Sequence, residues 1–310
     1  ILFGRHGANP VESGFFIVTQ FTYDTPYSVE AFLVVCAFWF CASGAAPESP
    51  TLKVMSYNLR LDAKGDPMEW PERRHLMVEL IQQTNPDVIG TQEGLYHQLK
   101  FLGSSLKGYD WIGLGREGGS RGEFMAIFYR QDRLEPMAYD HFWLSDTPEV
   151  IGSTTWGNRV KRMVTWVQFK DLKTSQLFYL VNTHFDHQVQ LAREKSAELL
   201  RARIGKLDPS LPLLLTGDFN CVTSNPAYKT LTANAFLKDT WYDAQRRKGE
   251  NLDTFNGWKE VKRNSSRIDW ILYCGNITVD LAEIVDWSKN GHFPSDHCPV
   301  VANVRLNGGK

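Results

Sequence analysis

The strongest constraint on the fold is the stretch Leu213–Asn220, in which three leucines precede Thr-Gly-Asp-Phe-Asn. Three consecutive leucines after a proline are typical of a short strand that is buried on both faces. We expect Gly217 to let the backbone turn, and we expect Asp218 and Asn220 to share one face of an extended segment. A carboxylate beside a carboxamide could orient a water molecule near a substrate oxygen. An isolated Asp-x-Asn is more often a helix cap, so this interpretation depends on further polar clusters.

Length and composition set the broad class of the protein. The 310 residues suffice for one large domain or two small ones, and a hydrophobic content of 43% with 13% aromatic residues indicates a packed globular core. The formal net charge is −1 without a long run of one sign, so the chain is not expected to bind nucleic acid through a broad basic surface. We recognise no apolar hairpin that would insert the mature domain stably into a membrane, and we expect a monomer.

The first forty-six residues differ from the rest. The apolar run Ala31–Ala42 is too short to span a bilayer comfortably, and the small residues of Ser43–Pro47 follow it as in a signal-peptidase site. Residues 1–46 therefore resemble a secretory signal peptide, and residues 47–310 would be the catalytic domain of a secreted or periplasmic protein. Because the chain lacks an initial Met and has only Arg5 as positive charge before the run, a buried strand or an upstream translated segment in a cytoplasmic protein is the alternative. Cleavage would leave Cys221, Cys274 and Cys298, an odd number that offers no disulfide framework.

Strand–helix pairs give way to runs of strands twice along the chain. Besides the leucine strand, alternation and turn residues predict strands at residues 52–59, 87–92, 109–115, 124–130, 134–144, 161–170, 176–184, 267–273, 277–285 and 298–306. Helical spacing predicts helices at residues 71–84, 95–106, 189–204 and 226–233. Leu76 is expected on the buried face of the first of these helices, and Leu191 on that of the third. This order predicts two largely antiparallel sheets that pack together, with helices outside.

Polar residues recur at the predicted strand ends. They are Asn58, Glu93, Glu123, His184, Asp186, Asp218, Asn220, Asp269, Asp296 and His297. Taken singly, each has an ordinary explanation as a solvated or hydrogen-bonded side chain. The run Ser295-Asp296-His297 is not expected to form a serine hydrolase triad, because adjacent side chains of an extended segment point apart.

The joint pattern of six motifs is more specific than any single residue. SYNLR, GTQEG, VNTHFDH, GDFN, RIDW and SDHCP occur in this order between Leu52 and Leu306. The pattern resembles the endonuclease/exonuclease/phosphatase superfamily of deoxyribonuclease-like, metal-dependent phosphoesterases. The stretches FWLS and RMVTW are similar to its compact, often secreted bacterial members. The resemblance implies an α/β fold, the four-layer α/β/β/α sandwich with two mostly antiparallel sheets, and a site at one edge of both sheets.

The resemblance also implies roles for individual residues. Glu93, helped by Asn58, would bind Mg²⁺ or Mn²⁺, ions that prefer hard oxygen ligands. Asp296 would support the metal as a ligand or from its surroundings. Asp218 would orient and deprotonate the attacking water, and Asn220 would polarise the phosphate.

Two histidines would contact the phosphate, each held by a carboxylate. Asp269 would orient His297 and select its tautomer, and Glu123 would do the same for His184. Arg162 closes the short basic stretch Asn158–Arg162, and its fork geometry would let it clamp the substrate phosphate.

The resulting expectation is a metal-dependent phosphoesterase. The substrate would be a nucleic-acid phosphodiester, a small phosphomonoester such as a sugar or inositol phosphate, or a phospholipid head group, the last being least expected. Asp186 and His187 have no firm counterpart in the family pattern, and their roles stay open. The alternative is a non-catalytic binding module on the same fold, which would show gaps among the six motifs. None of the motifs has lost its polar residue.

Overall fold

The structure is a computed structural model that describes residues 50–307. The predicted signal peptide, residues 1–46, lies outside the described residues. The first half of the fold contains β1 (Leu52–Asn58), α1 (Trp70–Thr84), β2 (Val88–Gln92), β3 (Gly94–Leu95), α2 (Tyr96–Ser105), β4 (Tyr109–Ile112), β5 (Glu123–Phe124), β6 (Ile127–Arg130) and β7 (Leu134–Trp143). The second half contains β8 (Met163–Asp171), β9 (Leu177–His184), α3 (Gln190–Ile204), β10 (Leu213–Asp218), α4 (Pro226–Thr232), β11 (Lys238–Asp239), α5 (Thr240–Asp243), β12 (Arg246–Lys248), β13 (Asp269–Cys274), β14 (Ile277–Ile284) and β15 (Val300–Leu306).

Two large sheets are each built around a parallel pair of strands. The seven-stranded sheet has the order β12-β14-β15-β1-β2-β6-β4, and the six-stranded sheet has the order β11-β13-β10-β9-β8-β7. The parallel neighbours β1 and β2 are connected through α1, and β9 and β10 through α3, as parallel neighbours require a crossover connection. Apart from β12 with β14, the other neighbours in these sheets are antiparallel. The predicted pair of mostly antiparallel sheets is therefore confirmed.

Alternation along the strands sorts the apolar residues into three layers of core. Val54 and Leu214 lie in the cluster between the two sheets. Met55 faces the opposite way, into a cluster with residues of α1 and α2. Leu213 and Leu215 likewise pack against α3 and α4 on the outside of the second sheet. The leucine run is thus buried on both faces, as predicted, and the four layers follow the order α/β/β/α.

The structure differs from the sequence-based expectation at several elements. In α1 the buried face carries Met77 rather than Leu76, and in α3 Leu191 is 54% exposed. The predicted strand at residues 124–130 is interrupted at Met125 and Ala126, and the carbonyl of Ala126 accepts hydrogen bonds from Thr91 and Asn182. The short elements β11, α5 and β12 were not predicted, since segments of two to four residues show no periodicity.

Two expectations about the chain can be compared with the described residues. No helix within residues 50–307 has the length and apolar content needed to cross a membrane. Cys221, Cys274 and Cys298 are all free thiols.

Candidate active site

Strand register brings three candidate residues into one row at the edge of the second sheet. β9 ends at His184 and β10 ends at Asp218, and the parallel register places these two residues side by side. β13 begins at Asp269, which is the antiparallel partner of Asp218 on the other side. Because the three are neighbours across adjacent strands, their side chains can converge on one point.

Asp218 lies at the centre of this row and is 1% exposed. Its Oδ2 accepts a hydrogen bond from Asn58 Nδ2 at 2.9 Å and lies 3.4 Å from His184 Nε2 and 3.7 Å from His297 Nε2. Burial, reinforced by the negative charge of Asp269, raises the pKa of Asp218 to about 7. A carboxylate with such a pKa can take a proton from a bound water near neutral pH.

The turn after β10 differs from the expected geometry. Gly217 is still part of the strand, and a Cβ there would lie 2.8 Å from the carbonyl oxygen of Thr183, so close strand packing explains the glycine. The backbone turns at Asn220, whose φ is 51°. Its N–H donates to Asp218 Oδ1 at 2.9 Å. Asp218 and Asn220 therefore meet through a tight turn, and the expectation of one shared face on an extended segment was wrong.

The first sheet contributes Asn58 and Glu93 to the same edge. The parallel register pairs Asn58 with Gln92, the residue before Glu93. Glu93 has a φ of 64°, a left-handed conformation that non-glycine residues rarely adopt and that occurs preferentially at functional sites. Its Oε1 accepts from Asn58 Nδ2 at 3.0 Å, and its Oε2 accepts from the backbone N–H of Leu61 at 3.2 Å.

The hydrogen bonds of Asn58 hold its carboxamide in one orientation, and its role as a metal ligand stays a prediction. Asn58 Oδ1 accepts from the backbone N–H of Arg60 at 2.9 Å, which fixes the orientation of the carboxamide because a backbone N–H can only donate. Its amino group therefore bridges the carboxylates of Glu93 and Asp218. Although burial acts to raise the pKa of Glu93, this hydrogen bond and the nearby charge of His297 lower it.

His297 and Asp269 form the pair that the family resemblance implies. The Nδ1 atom of His297 lies 3.0 Å from Asp269 Oδ2. The Nε2 atom, at the opposite edge of the ring, faces Asp218. Burial opposes a charge on His297, but Asp269 and Asp218 outweigh it and raise its pKa to about 10. Ser295 Oγ instead donates to the carbonyl of Asn58 at 2.7 Å, so the sequence neighbours form no hydrolase triad, as expected.

His184 has a different partner from the one expected. Glu123 accepts a hydrogen bond from Arg116 Nη1 at 2.7 Å, whereas His184 Nδ1 lies 2.8 Å from Arg162 Nη1. The assignment of Glu123 as the group that orients His184 is therefore wrong, because Glu123 is engaged by a guanidinium. A guanidinium can only donate, so His184 Nδ1 accepts the hydrogen bond from Arg162. Burial and then Arg162 hold the pKa of His184 well below its usual value.

Arg162 is buried and directs its fork toward two histidines. Nη1 contacts His184, and Nη2 lies 3.1 Å from His187 Nδ1. Its Nε has no hydrogen-bond partner within the described part of the chain. The carboxamide of Asn220 completes this side of the site, 2.9 Å from His184 Nε2. The role of Arg162 as a phosphate clamp stays a prediction. A phosphate would have to bind the N–H groups of Arg162 that do not contact His184 or His187.

Two further acidic residues are placed outside the row. Asp186 Oδ1 accepts from the backbone N–H groups of Gln188 and Val189 just before α3, so it organises the start of this helix. Asp296 is buried, and its Oδ2 lies 3.8 Å from Arg60 Nε. Burial raises the pKa of Asp296. Neither group of potential ligand atoms within residues 50–307 includes Asp296, so its proposed role as a direct ligand is not supported by the geometry.

The donor atoms fit a divalent cation. Ligand atoms of Glu93, His184 and Asp218 lie within 4.8 Å of one another, and so do those of Asp218, Asp269 and His297. Carboxylate oxygens are the donors that Mg²⁺ and Mn²⁺ prefer.

A buried polar layer beneath the site was not recognised from the sequence. Asn182 Oδ1 accepts from Gln92 Nε2 at 2.8 Å and from Thr216 Oγ1 at 3.1 Å, while its amino group donates to the carbonyl of Thr91. These bonds join strands of both sheets. The available signal was the interruption of apolar strands by Asn, Gln and Thr, residues that are costly to bury without partners.

Comparison with known proteins settles the family. The sequence profile of the Endonuclease/Exonuclease/phosphatase family matches residues 55–297. The chain belongs to this family. The matched region includes every residue of the candidate site, from Asn58 to His297. Enzymes of the endonuclease/exonuclease/phosphatase family use divalent metals, in agreement with the potential ligand groups found here.

Three relatives illustrate the similarity. An uncharacterized protein of Acanthamoeba polyphaga mimivirus is 31% identical over 265 residues, which is 75% of this chain and 91% of the relative. The structure of the family member from Bacteroides vulgatus superposes with a TM-score of 0.79 at 33% identity, covering 84% of this chain and all of that one. A mannosyl-6-phosphatase from Bacteroides thetaiotaomicron gives a TM-score of 0.78 at 33% identity, covering 82% and 100% of the two chains.

Proposed function

We propose that this protein is a divalent-metal-dependent phosphoesterase that hydrolyses small phosphomonoesters by attack of an activated water. The observation that carries the proposal is the position of Asp218. Its carboxylate lies between Asn58 of the first sheet, His184 of the second sheet and His297 of the loop before β15. The proton acceptor, Asp218, thus has a histidine that can bind a phosphate on each of two sides, His184 and His297.

The side chains divide the work of hydrolysis among them. Asp218 holds the water and takes its proton, since its pKa of about 7 permits proton uptake near neutral pH. His297, kept protonated by Asp269, directs a positive Nε2–H at the phosphoryl oxygens and stabilises their charge in the transition state. His184 is neutral and, with Asn220, positions the phosphate from the other side.

Glu93 is the residue that would hold the metal, beside the carboxylate of Asp218, which stays free to act as the base. When bound, Mg²⁺ or Mn²⁺ neutralises charge on the phosphoryl and leaving-group oxygens. Asn58 bridges these two carboxylates through its amino group and keeps their oxygens close together.

The charges around the site favour a small substrate over a long polyanion. Three basic side chains near the site are paired with carboxylates: Arg60 with Asp66 at 2.8 Å, Arg116 with Glu123 at 2.7 Å, and Lys161 with Glu117 at 3.1 Å. Paired cations contribute little to phosphate-backbone binding, which depends on free positive charge. The similarity to a mannosyl-6-phosphatase over all of that chain makes hexose 6-phosphates the first substrates to test.

A substrate panel tests the proposal. The protein would be assayed with p-nitrophenyl phosphate, mannose 6-phosphate, bis-p-nitrophenyl phosphate and a single-stranded oligonucleotide, each with Mg²⁺, with Mn²⁺ and with a chelator. We expect metal-dependent release of phosphate, with the highest kcat/KM for a monoester, and no activity above background in Asp218→Asn.

Two outcomes would contradict this. A higher kcat/KM for the oligonucleotide or the diester would make the protein a nuclease or phosphodiesterase. Binding of phosphorylated compounds without turnover under any metal condition would favour the non-catalytic binding module.

A further inference from the structure

Arg73 connects two loops of the active site from beneath. This residue lies on the buried face of α1 and is 0% exposed. Its Nη1 donates to the carbonyls of Leu59 at 2.7 Å and Pro294 at 2.9 Å. Its Nη2 donates to the carbonyls of Arg60 at 2.7 Å and Leu61 at 3.0 Å. One guanidinium therefore binds four carbonyl oxygens, three after β1 and one from the loop before β15.

The charge of Arg73 is stabilised without a carboxylate at ion-pair distance among residues 50–307. The guanidinium centre lies 5.1 Å from the ring centroid of Trp70 and 5.4 Å from that of Trp258. Two aromatic faces and four carbonyl dipoles thus replace water around the cation. Burial of a charge is costly, so a site of this kind is expected to hold the surrounding backbone in one arrangement.

The loop after β1 leads directly to the metal side of the site. The N–H of Leu61 donates to Glu93 Oε2, and the N–H of Arg60 donates to Asn58 Oδ1. Arg60 has a φ of 56°, an unfavourable conformation for a residue with a side chain. This conformation brings successive carbonyls toward one guanidinium while the N–H groups point at the site.

The second loop leads to the phosphate side. Pro294 precedes Ser295, whose Oγ donates to the carbonyl of Asn58 at 2.7 Å and accepts from the N–H of His297 at 3.3 Å. A displacement of Pro294 would therefore be transmitted to His297 within three residues.

We propose that Arg73 is a positioning residue for the reaction, which binds the carbonyls of both loops and so sets the separation of Glu93 from His297. The inference rests on the proposed function and extends it to a residue that touches neither metal nor substrate. A planar fork with five donors can serve four acceptors from two loops at once, and a lysine ammonium with three donors cannot satisfy all four.

The test compares Arg73→Lys and Arg73→Ala with Arg74→Ala in the full-length protein. Arg74 is the matched control, because it follows Arg73 on α1 and also packs over an aromatic ring, that of Phe101 at 4.7 Å. The measurements are kcat and KM for p-nitrophenyl phosphate, Mn²⁺ binding by calorimetry without substrate, and the melting temperature.

We expect Arg73→Lys to lower kcat about 10- to 100-fold, the scale of a small misplacement of catalytic groups. We also expect it to weaken Mn²⁺ binding, while Arg74→Ala changes neither quantity. Millimolar ethylguanidine should restore part of the kcat of Arg73→Ala and none of that of Arg73→Lys, whose side chain still fills the space.

A purely structural role for Arg73 predicts a different result. In that case Arg73→Lys would melt at a lower temperature but, assayed well below that temperature, would keep the kcat and Mn²⁺ affinity of the wild type. That outcome would overturn the inference, and Arg73→Lys decides alone if Arg73→Ala does not fold. If the wild type hydrolyses no ester, the proposed function fails, but Mn²⁺ binding still tests the role of Arg73. Weaker Mn²⁺ binding in Arg73→Lys than in Arg74→Ala would support the positioning of Glu93 by Arg73. Equal binding in the two variants would refute it.

Discussion

The contact between Asp269 and His297 allows a direct test of the proposed chemistry. The Asp269 carboxylate faces the imidazole with both oxygens, at 3.2 and 3.0 Å from Nδ1. Asp269→Asn keeps the size of the side chain and an acceptor for the Nδ1 proton, but removes the negative charge. The backbone N–H of Asp269, which donates to Thr254 Oγ1, is unaffected. The substitution therefore changes the charge on His297 with little change in packing.

The structure sets the expected magnitude. A hydrogen bond to a charged group contributes about 1.5–3 kcal/mol, and about 1.4 kcal/mol corresponds to a tenfold change in rate. If the Asp269 charge stabilises a protonated His297 during catalysis, kcat should fall about 10- to 100-fold at saturating substrate and metal. His297→Ala should cost at least as much, and the double variant should be little worse than the worse single one, because the two residues act as a unit.

The same pair should leave a signature in the pH dependence of stability. The folded-state pKa of His297 is raised to about 10, above the value of about 6.5 for an unfolded chain. The stabilisation by the protonated ring is therefore complete below the unfolded value and is lost as the pH rises through about 10. In the presence of a chelator, the melting temperature of the wild type should exceed that of Asp269→Asn most near neutral or slightly acidic pH, and the difference should shrink toward pH 10.

Asp171→Asn is a matched control for these measurements. Asp171 is equally buried and pairs with Arg133 at 2.8 Å, at the end of β8 opposite to the site. We expect it to lower the melting temperature and leave kcat intact. If Asp269→Asn behaves like this control, Asp269 only secures its strand. Additive losses of kcat from the two single variants of the pair would equally refute the reasoning.

Three further predictions concern the remaining parts of the proposal. Glu93→Gln should raise the Mg²⁺ or Mn²⁺ concentration needed for half-maximal activity and lower turnover by orders of magnitude; an unchanged metal titration would show that Glu93 is not a ligand. Asp218→Asn should lose more kcat than Asp269→Asn, since Asp218 is the proposed acceptor of the water proton, and the reverse order in a side-by-side assay would exclude it as the base. Removal of roughly the first forty-six residues on secretion would be seen by mass spectrometry of protein from the native host, whereas an intact N-terminus on cytoplasmic protein would end the secretion hypothesis.

Strand register explains why the location of the site could be predicted from the sequence. Asn58, His184, Asp218 and Asp269 each stand at the end or start of a strand with a clear apolar pattern. Once parallel pairs are inferred from strand–helix–strand order, the carboxyl ends of those strands must meet at one edge. The position of a residue along a strand can thus be predicted from the periodicity of the sequence alone.

Hydrogen-bond partners could not be predicted in the same way. Glu123 and His184 lie in different sheets. Whether they contact each other depends on the arginines that lie beside them. Arg116, in the loop between β4 and β5, donates a hydrogen bond to Glu123, and Arg162 contacts His184. The orientation of Asn58 is likewise decided by a backbone N–H two residues away, which no residue pattern records.

Buried arginines are the other group that sequence patterns do not reveal. Arg73 occupies the buried face of α1 with Trp70 and Met77, yet a charged residue at such a position is ordinarily assigned to the solvent side. The flanking tryptophan was the available signal, since guanidinium groups pack on aromatic faces. The four acceptors come from loops 12 to 221 residues away in sequence, and only the folded chain brings them together.

The two histidines show why partner identity matters for function. The family pattern treats His184 and His297 as equivalent groups, each held by a carboxylate. In the structure Asp269 raises the pKa of His297, whereas burial and Arg162 lower that of His184. At neutral pH one ring is therefore a cation and the other is neutral. In the proposed mechanism His297 is therefore the histidine that supplies positive charge to the transition state, whereas His184 orients the phosphate.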